Sequence, residues 1–226
     1  MTPHWIAGHL LAVIGIATFV SLGFWQLDRL EEKRTFNDSV ESGLAAPVTP
    51  IGELPEGATY RRVSAEGTYD PEFEALVLRA RDGVSGYHVL TPLVLEDGSA
   101  VLVDRGWVPI QYEVPRDPWF AAPLGTVSVT GMLWPDQEGS GVPREFPAVV
   151  RRIDPEIQAA FAPYSLRPEY LVLSTQDPGQ GGLPIVVEPP TLAEGPHLGY
   201  AVQWFVFVGV VVVGYPILLR RTALRG

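Results

Sequence analysis

Two uncharged apolar runs, one near each end, constrain this chain more than any other feature, because whatever folds between them must return to the boundary it left. Residues 201–219 carry no charged side chain and are followed by Arg220-Arg221. At roughly 1.5 Å per helical residue they reach about 28 Å, enough for the hydrocarbon layer of a bilayer. Residues 5–24 form the other run, with His9, Thr18 and Ser21 as its polar side chains. No small-x-small cleavage site separates it from Trp25-Gln26, so an uncleaved anchor is expected rather than a signal peptide. Gly8, Ala12 and Gly15 on this run, with Gly209 and Gly214 on the other, predict that the spans pack through small residues.

All 26 acidic residues lie between Asp28 and Glu194, whereas Arg220, Arg221 and Arg225 follow the second run with no acid among them. The positive-inside tendency then predicts cytoplasmic termini and an extracytoplasmic domain at the plasma membrane. The expected divisions are a transmembrane helix over 1–26, a juxtamembrane helix and linker over 27–58, a β-rich domain over 59–196, a second transmembrane helix over 197–219 and a cytoplasmic tail over 220–226. The fold class is a membrane protein with two transmembrane helices flanking an extracytoplasmic α+β domain dominated by antiparallel strands. Short runs rich in Val, Leu, Tyr and Thr predict strands over 62–69, 75–79, 87–95, 100–103, 126–133, 149–153 and 170–174. Glu96-Asp97-Gly98-Ser99 predicts a hairpin turn. Asp154 and Pro155 predict the N-cap and first residue of one short helix ending near Phe161. The Pro- and Gly-rich stretches 139–147 and 177–190 are expected to be loops.

Composition removes several classes of chemistry. The absence of cysteine excludes disulfides, thiolate metal sites, covalent c-type haem and Cys-based copper sites. Met1 and Met132 are too few for a methionine copper site. An acidic domain with one Lys has no basic stripe for nucleic acid, and anionic lipid headgroups would repel most of it, leaving the spans as the lipid contact. No Gly-x-Ser-x-Gly, His-Glu-x-x-His or Gly-rich phosphate loop is present, so the chain reads as a binder and not an enzyme. A tethered hydrolase would need clustered carboxylates or a His beside a nucleophile, and the four His are far apart in sequence.

His197 stands one turn outside its apolar run. At helical spacing it shares a face with Tyr200, Trp204, Val208, Val211 and Tyr215, placing an imidazole above an aromatic stripe where a ring-shaped ligand could lie. The same residue types also suit an ordinary interfacial anchor with a solvated His. His9 lies about 25 Å of helix below Gln26 and cannot share an iron with His197. His4 and His9 are expected to reach headgroups, and His88 to follow strand alternation.

Four segments, in order, carry a resemblance. They are Leu22-Gly23-Phe24-Trp25-Gln26-Leu27-Asp28-Arg29, Gly86-Tyr87-His88-Val89-Leu90-Thr91-Pro92-Leu93, Val101-Leu102-Val103-Asp104-Arg105-Gly106-Trp107-Val108-Pro109 and His197-Leu198-Gly199-Tyr200-Ala201-Val202-Gln203-Trp204-Phe205. With the two-span layout, they resemble the SURF1 family of cytochrome oxidase assembly factors. The resemblance implies a factor that binds haem a and aids its insertion into the catalytic subunit of haem-copper oxidase, working with that subunit and with haem a synthesis enzymes. His197 would be the metal ligand, with Tyr200 and Trp204 supporting the macrocycle. The alternative is a scaffold that stabilises an immature oxidase subunit and binds no haem. Asp104 is a departure, since the family more often has Asn there, and a carboxylate accepts where an amide can also donate. Read locally, Trp25, Gln26 and Arg29 are an interfacial anchor, Asp104-Arg105-Gly106 is a turn ending a strand, and Tyr87 and Trp107 fill a core. Arg105 and Trp107 could instead face a propionate or a partner.

Overall fold

In the computed structural model the described residues are 3–112, 117–137 and 143–224, with side chains from Trp5 onward. Part of the expected loop 139–147, the side chain of His4 and the last two residues of the tail lie outside them. The chain divides into two compact units, Met1–Ser39 with Thr191–Gly226, and Val40–Pro190.

The first unit is built on two long helices. Helix α1 runs unbroken over Pro3–Ala45, so the first apolar run and the charged segment after it are one element. Helix α3 covers His197–Ala223 and carries Pro216 inside it. Along α1 the shielded positions include His9, Ala12, Ile16, Phe19, Gly23, Gln26 and Leu30, and along α3 His197, Ala201, Trp204, Val208, Val211 and Tyr215. Steps of three and four residues along each helix are the spacing of paired helices.

The two helices meet through large side chains, which corrects the small-residue expectation. Phe19 stacks on Trp204 with ring centroids 5.6 Å apart, and Phe24 meets Phe205 edge-on at 5.6 Å. A Cβ on Gly15, Gly209 or Gly214 would meet nothing within 4 Å, whereas one on Gly23 would run 2.7 Å from the Phe205 ring. Aromatic rings fill much of the space between the helices, and a missing side chain matters at Gly23, against the tip of the Phe205 ring, and at Gly8, where a Cβ would come 3.3 Å from the Tyr215 hydroxyl. Leu11, Val210 and Val213 point away from the pair and are exposed. Both helices are long and apolar enough to cross a membrane.

The second unit is a strongly curved sheet. Its strands are β1 (Thr49–Pro50), β2 (Arg62–Tyr69), β3 (Ala75–Arg81), β4 (Val84–Leu95), β5 (Ala100–Pro109), β6 (Thr126–Trp134), β7 (Ala148–Val150) and β8 (Leu166–Asp177), with α2 at Pro155–Ala159. They pair in the order β1-β2-β6-β8-β5-β4-β3-β7, and a further pairing of β2 with β4 closes β2-β6-β8-β5-β4 into a ring. Pairings are antiparallel except β1–β2, β3–β7 and β5–β8. Val63, Val103, Val129, Leu133, Leu171 and Leu173 fill the inside of the ring, as alternation along each strand requires. The outer face carries a second cluster with Leu90, Leu102, Ile153 and Tyr170, next to α2. Asp154 precedes α2 and Pro155 opens it, but the Asp154 side chain makes no cap hydrogen bond.

Two local features shape the central hairpin of β4 and β5. The expected turn at Glu96–Ser99 joins the two strands, with Leu95 N donating to Ser99 O at 2.8 Å. The expected turn at Asp104-Arg105-Gly106 is instead a β-bulge within β5: Val89 pairs with Gly106 and Leu90 with Asp104, leaving Arg105 as the extra residue. Gly106 has φ 129°, and a Cβ there would collide with the Ile185 carbonyl, because Trp107 and Ile185 form a bridge beside it. Only glycine fits that position.

Candidate functional site

The helical unit brings together His197 and Gln26. His197 is the first residue of α3, and its Nδ1 lies 2.9 Å from Gln26 Oε1 on α1. An amide oxygen only accepts, so Nδ1 carries the proton and Nε2 presents its lone pair. The residue before the Pro196 cap is Gly195, at φ 73°; a Cβ there would lie 3.4 Å from Cδ2 and 3.5 Å from Nε2 of His197. Glycine is favoured there by its positive φ, and its lack of a Cβ removes one ordinary contact from the Cδ2–Nε2 edge of the ring.

Below His197, Trp204 is shielded against Phe19, and Phe207 lies 5.7 Å from both rings. Tyr200 is 49% exposed and lies off this face, where Ala201 takes the inward position. The shared face thus runs His197, Ala201, Trp204, because helices in contact repeat every 3.5 residues. At the far end His9 Nδ1 and the Tyr215 hydroxyl hydrogen-bond at 2.9 Å, so His9 bonds across the helix pair instead of reaching headgroups. Trp25 is exposed, and Arg29 pairs with Glu32 at 2.7 Å. Arg34 makes a two-pronged contact with Glu194 at 2.9 and 3.0 Å. That pairing holds the Glu194 carboxyl below its ordinary range and the Arg34 guanidinium above its own.

The strand motifs are placed differently. Tyr87 is buried with Leu76, Val108 and Phe120. Arg105 is fully buried: Nη1 reaches Glu74 Oε2 at 3.4 Å, and Nη2 donates to Phe120 O and Ala121 O at 2.9 and 3.1 Å. Burial pushes its guanidinium below the usual range, against the pull of Glu74. Both terminal nitrogens are engaged and Nε is buried without a partner, so the guanidinium is sealed inside the fold and does not face a propionate or a partner. Trp107 is also buried and donates from Nε1 to Arg79 O at 3.0 Å.

The bulge sets Asp104 beside His88. His88 Nδ1 donates to Asp104 Oδ2 at 2.6 Å, and Gly106 N donates to Asp104 Oδ1 at 3.1 Å. Both contacts need an acceptor, which the carboxylate at this position supplies twice. The dyad lines a cavity of about 230 Å³ on the outer face of the ring, with Arg62, Arg79, Gln137 and Tyr170. Arg79 Nη2 donates to Gln137 Oε1 at 2.6 Å, and Gln137 Nε2 donates to the Tyr170 hydroxyl at 3.3 Å. Burial, with Asp104 nearby, pushes the Tyr170 hydroxyl up to about 12. Sequence reasoning missed this constellation. His88 and Asp104 stand in adjacent motifs, but their meeting depends on a bulge that alternation does not announce.

Likeness to known proteins extends over nearly the whole chain. The model of the SURF1 family matches residues 13–209. An uncharacterized SURF1-like protein of Mycobacterium tuberculosis is 32% identical over 232 aligned positions, covering 95% of this chain and 83% of the relative. A SURF1-like protein of Rickettsia bellii is 27% identical over 229 positions, covering 96% and 92%. One from Monosiga brevicollis is 24% identical over 227, covering 93% and 86%.

Proposed function

This chain belongs to the SURF1 family, and from that membership we propose that it is a non-catalytic assembly factor for haem-copper cytochrome oxidase, binding haem a and aiding its insertion into the catalytic subunit. It works as a plasma-membrane protein with both termini cytoplasmic, lipid around its spans, and the oxidase subunit and haem a synthesis enzymes as partners. The observation that carries the reading is the held imidazole. Gln26 fixes the His197 tautomer from one side, and Gly195 adds no Cβ contact to the Nε2 edge on the other. Axial haem ligation asks for this arrangement, in which the distal ring nitrogen is oriented by a hydrogen bond at the other.

His197 would hold the iron through Nε2, and exposed Tyr200 would offer a flat contact to the ring, while Trp204 braces the helix pair beneath. Haem a, when bound, supplies a redox-active iron in an apolar macrocycle. The chain's part is to bind and orient it at the mouth of the spans, where propionates can stay in the polar interface.

The test is co-expression with a haem a synthesis pathway, purification in mild detergent and a visible spectrum. His197→Ala should abolish or strongly shift the haem spectrum and lower oxidase maturation, whereas His9→Ala and His88→Ala keep it. A wild-type spectrum from His197→Ala overturns the ligand assignment. Reporters at 226 and near 139 should fall on opposite sides of the membrane, and the same side for both would end the two-span topology.

One observation favours the scaffold reading. The inner face of α3 is taken up by α1 through the Phe19–Trp204 stack and the His9–Tyr215 bond, leaving the stripe less surface for a ligand. Normal oxidase maturation by a His197→Ala protein without haem would select it.

A further inference from the structure

We propose that the cavity on the outer face of the β ring binds a small organic carboxylate with an apolar body, independently of any haem held by the helices. The site lies wholly within the unit Val40–Pro190. Its floor is a row of cross-strand neighbours, since Arg62 pairs with Met132, Met132 with Val172 and Val172 with Asp104. Residues directly opposite on adjacent strands share a face, so this row sets a guanidinium, two apolar side chains and a carboxylate side by side.

Three features select the ligand. The first is cationic: Arg62 and Arg79 both line the cavity, and neither has a carboxylate partner among the described residues. Arg62 Nη1 makes a long 3.4 Å contact to Leu44 O, and Arg79 donates to Leu78 O and Gln137 Oε1. Their contacts are to neutral acceptors, so each guanidinium keeps a charge to pair, and a carboxylate matches its fork of donors. The second feature is polar: with Nδ1 committed to Asp104, His88 offers Nε2 as an acceptor for a ligand hydroxyl. The third is apolar and limited in size. Met132, Trp134, Ile153 and Val172 supply the walls of a space of about 230 Å³, equal to roughly eight waters and below the roughly 300–1,000 Å³ of drug-sized sites. Such a space takes a benzene-sized body and its polar head, and it is too small for a haem macrocycle.

The two carboxylates of the site do not compete for this ligand. Asp104 is 2% exposed and both its oxygens accept from the protein. Glu188 stands at the exposed rim, where water screens its charge.

The test titrates the full chain in detergent with mandelate, which carries a carboxylate, a hydroxyl and a phenyl ring, and with its neutral amide, followed by calorimetry. Mandelate should bind saturably at one site, and the amide at least about tenfold more weakly, the loss of a charge-assisted contact. Arg79→Gln and Arg62→Gln should each weaken mandelate about tenfold, and Ser174→Trp, placed at the exposed edge of the cavity, should block it. Should Arg79→Gln fail to fold after losing its hold on Gln137, Arg62→Gln and Ser174→Trp decide. The proposal is overturned by absence of saturable mandelate binding up to about 10 mM, by equal binding of the amide, or by binding that survives Ser174→Trp. Because the readout is taken without haem, loss of the oxidase-assembly reading would leave this result standing, and the reverse.

Discussion

His197 in the helical unit and His88 in the β ring are both held by Nδ1, with different chemistry. In the helix pair the acceptor is a neutral amide, Gln26 Oε1, at 2.9 Å. In the β ring it is a carboxylate, Asp104 Oδ2, at 2.6 Å, with Asp104 almost wholly buried. An amide fixes the ring's tautomer without bringing a charge, and a partly exposed imidazole can replace it with water. A buried carboxylate is tolerable only while its donors stay in place. The helical histidine is therefore held without an added charge, whereas the strand histidine is tied into the protein's own internal electrostatics.

The contrast can be broken at several strengths. Asp104→Ala should have the largest effect, about 3 kcal/mol of stability, because His88 Nδ1–H and Gly106 N–H both lose their acceptor inside the fold; thermal unfolding in detergent measures it, and a loss below about 1 kcal/mol would mean water reaches both groups. Asp104→Asn should cost about 1 kcal/mol and change the chemistry more than the stability. If the amide oxygen keeps Gly106 N–H, its NH₂ faces His88 and forces the proton to Nε2, a tautomer exchange that ¹⁵N imidazole shifts report. Gln26→Ala should cost less than about 1 kcal/mol, since His197 is only part-buried. Equal costs for Gln26→Ala and Asp104→Ala would erase the distinction between the two sites.

The smallest expected effect is at Arg34–Glu194, where both side chains are about half exposed, 51% and 49%. The Glu194 carboxyl is depressed by its Arg34 hydrogen bond, so the pair contributes above the ordinary glutamate range and is lost as pH falls through the lowered folded value. The melting temperatures of wild type and Arg34→Gln should differ slightly at neutral pH and converge in acid. A gap that widens in acid would reverse this assignment.

What the sequence could reveal depended on whether the cause was local. Alternation located the strands, with β2 over 62–69 as expected and β4, β5 and β8 longer than their apolar cores. Asp82-Gly83, both at positive φ between β3 and β4, is a local Asp-Gly hairpin signal absent from the alternation pattern. Closure of the ring through β2–β4 and the parallel β5–β8 pairing had no local signature, because they join segments far apart in the chain. At the candidate site, helical spacing alone runs the face of His197 through Tyr200, whereas contact with α1 selects Ala201. Gln26 was visible as a motif residue and its role was not, since that requires the phase of one helix against the other.

The bulge at Arg105 works like an inserted letter in a reading frame. Before it, Asp104 looks to the cavity face; after it, Trp107 does, three positions on instead of two or four. Deleting Arg105 would restore regular pairing and leave every later residue of β5 with its present partner, Trp107 opposite His88 on the cavity face and Val108 opposite Tyr87. Replacing Arg105 damages one buried ion pair. Removing it loses the same ion pair and the local kink of the strand, while the faces of the residues on either side stay as they are, so the extra residue serves to place one buried guanidinium without disturbing the register around it.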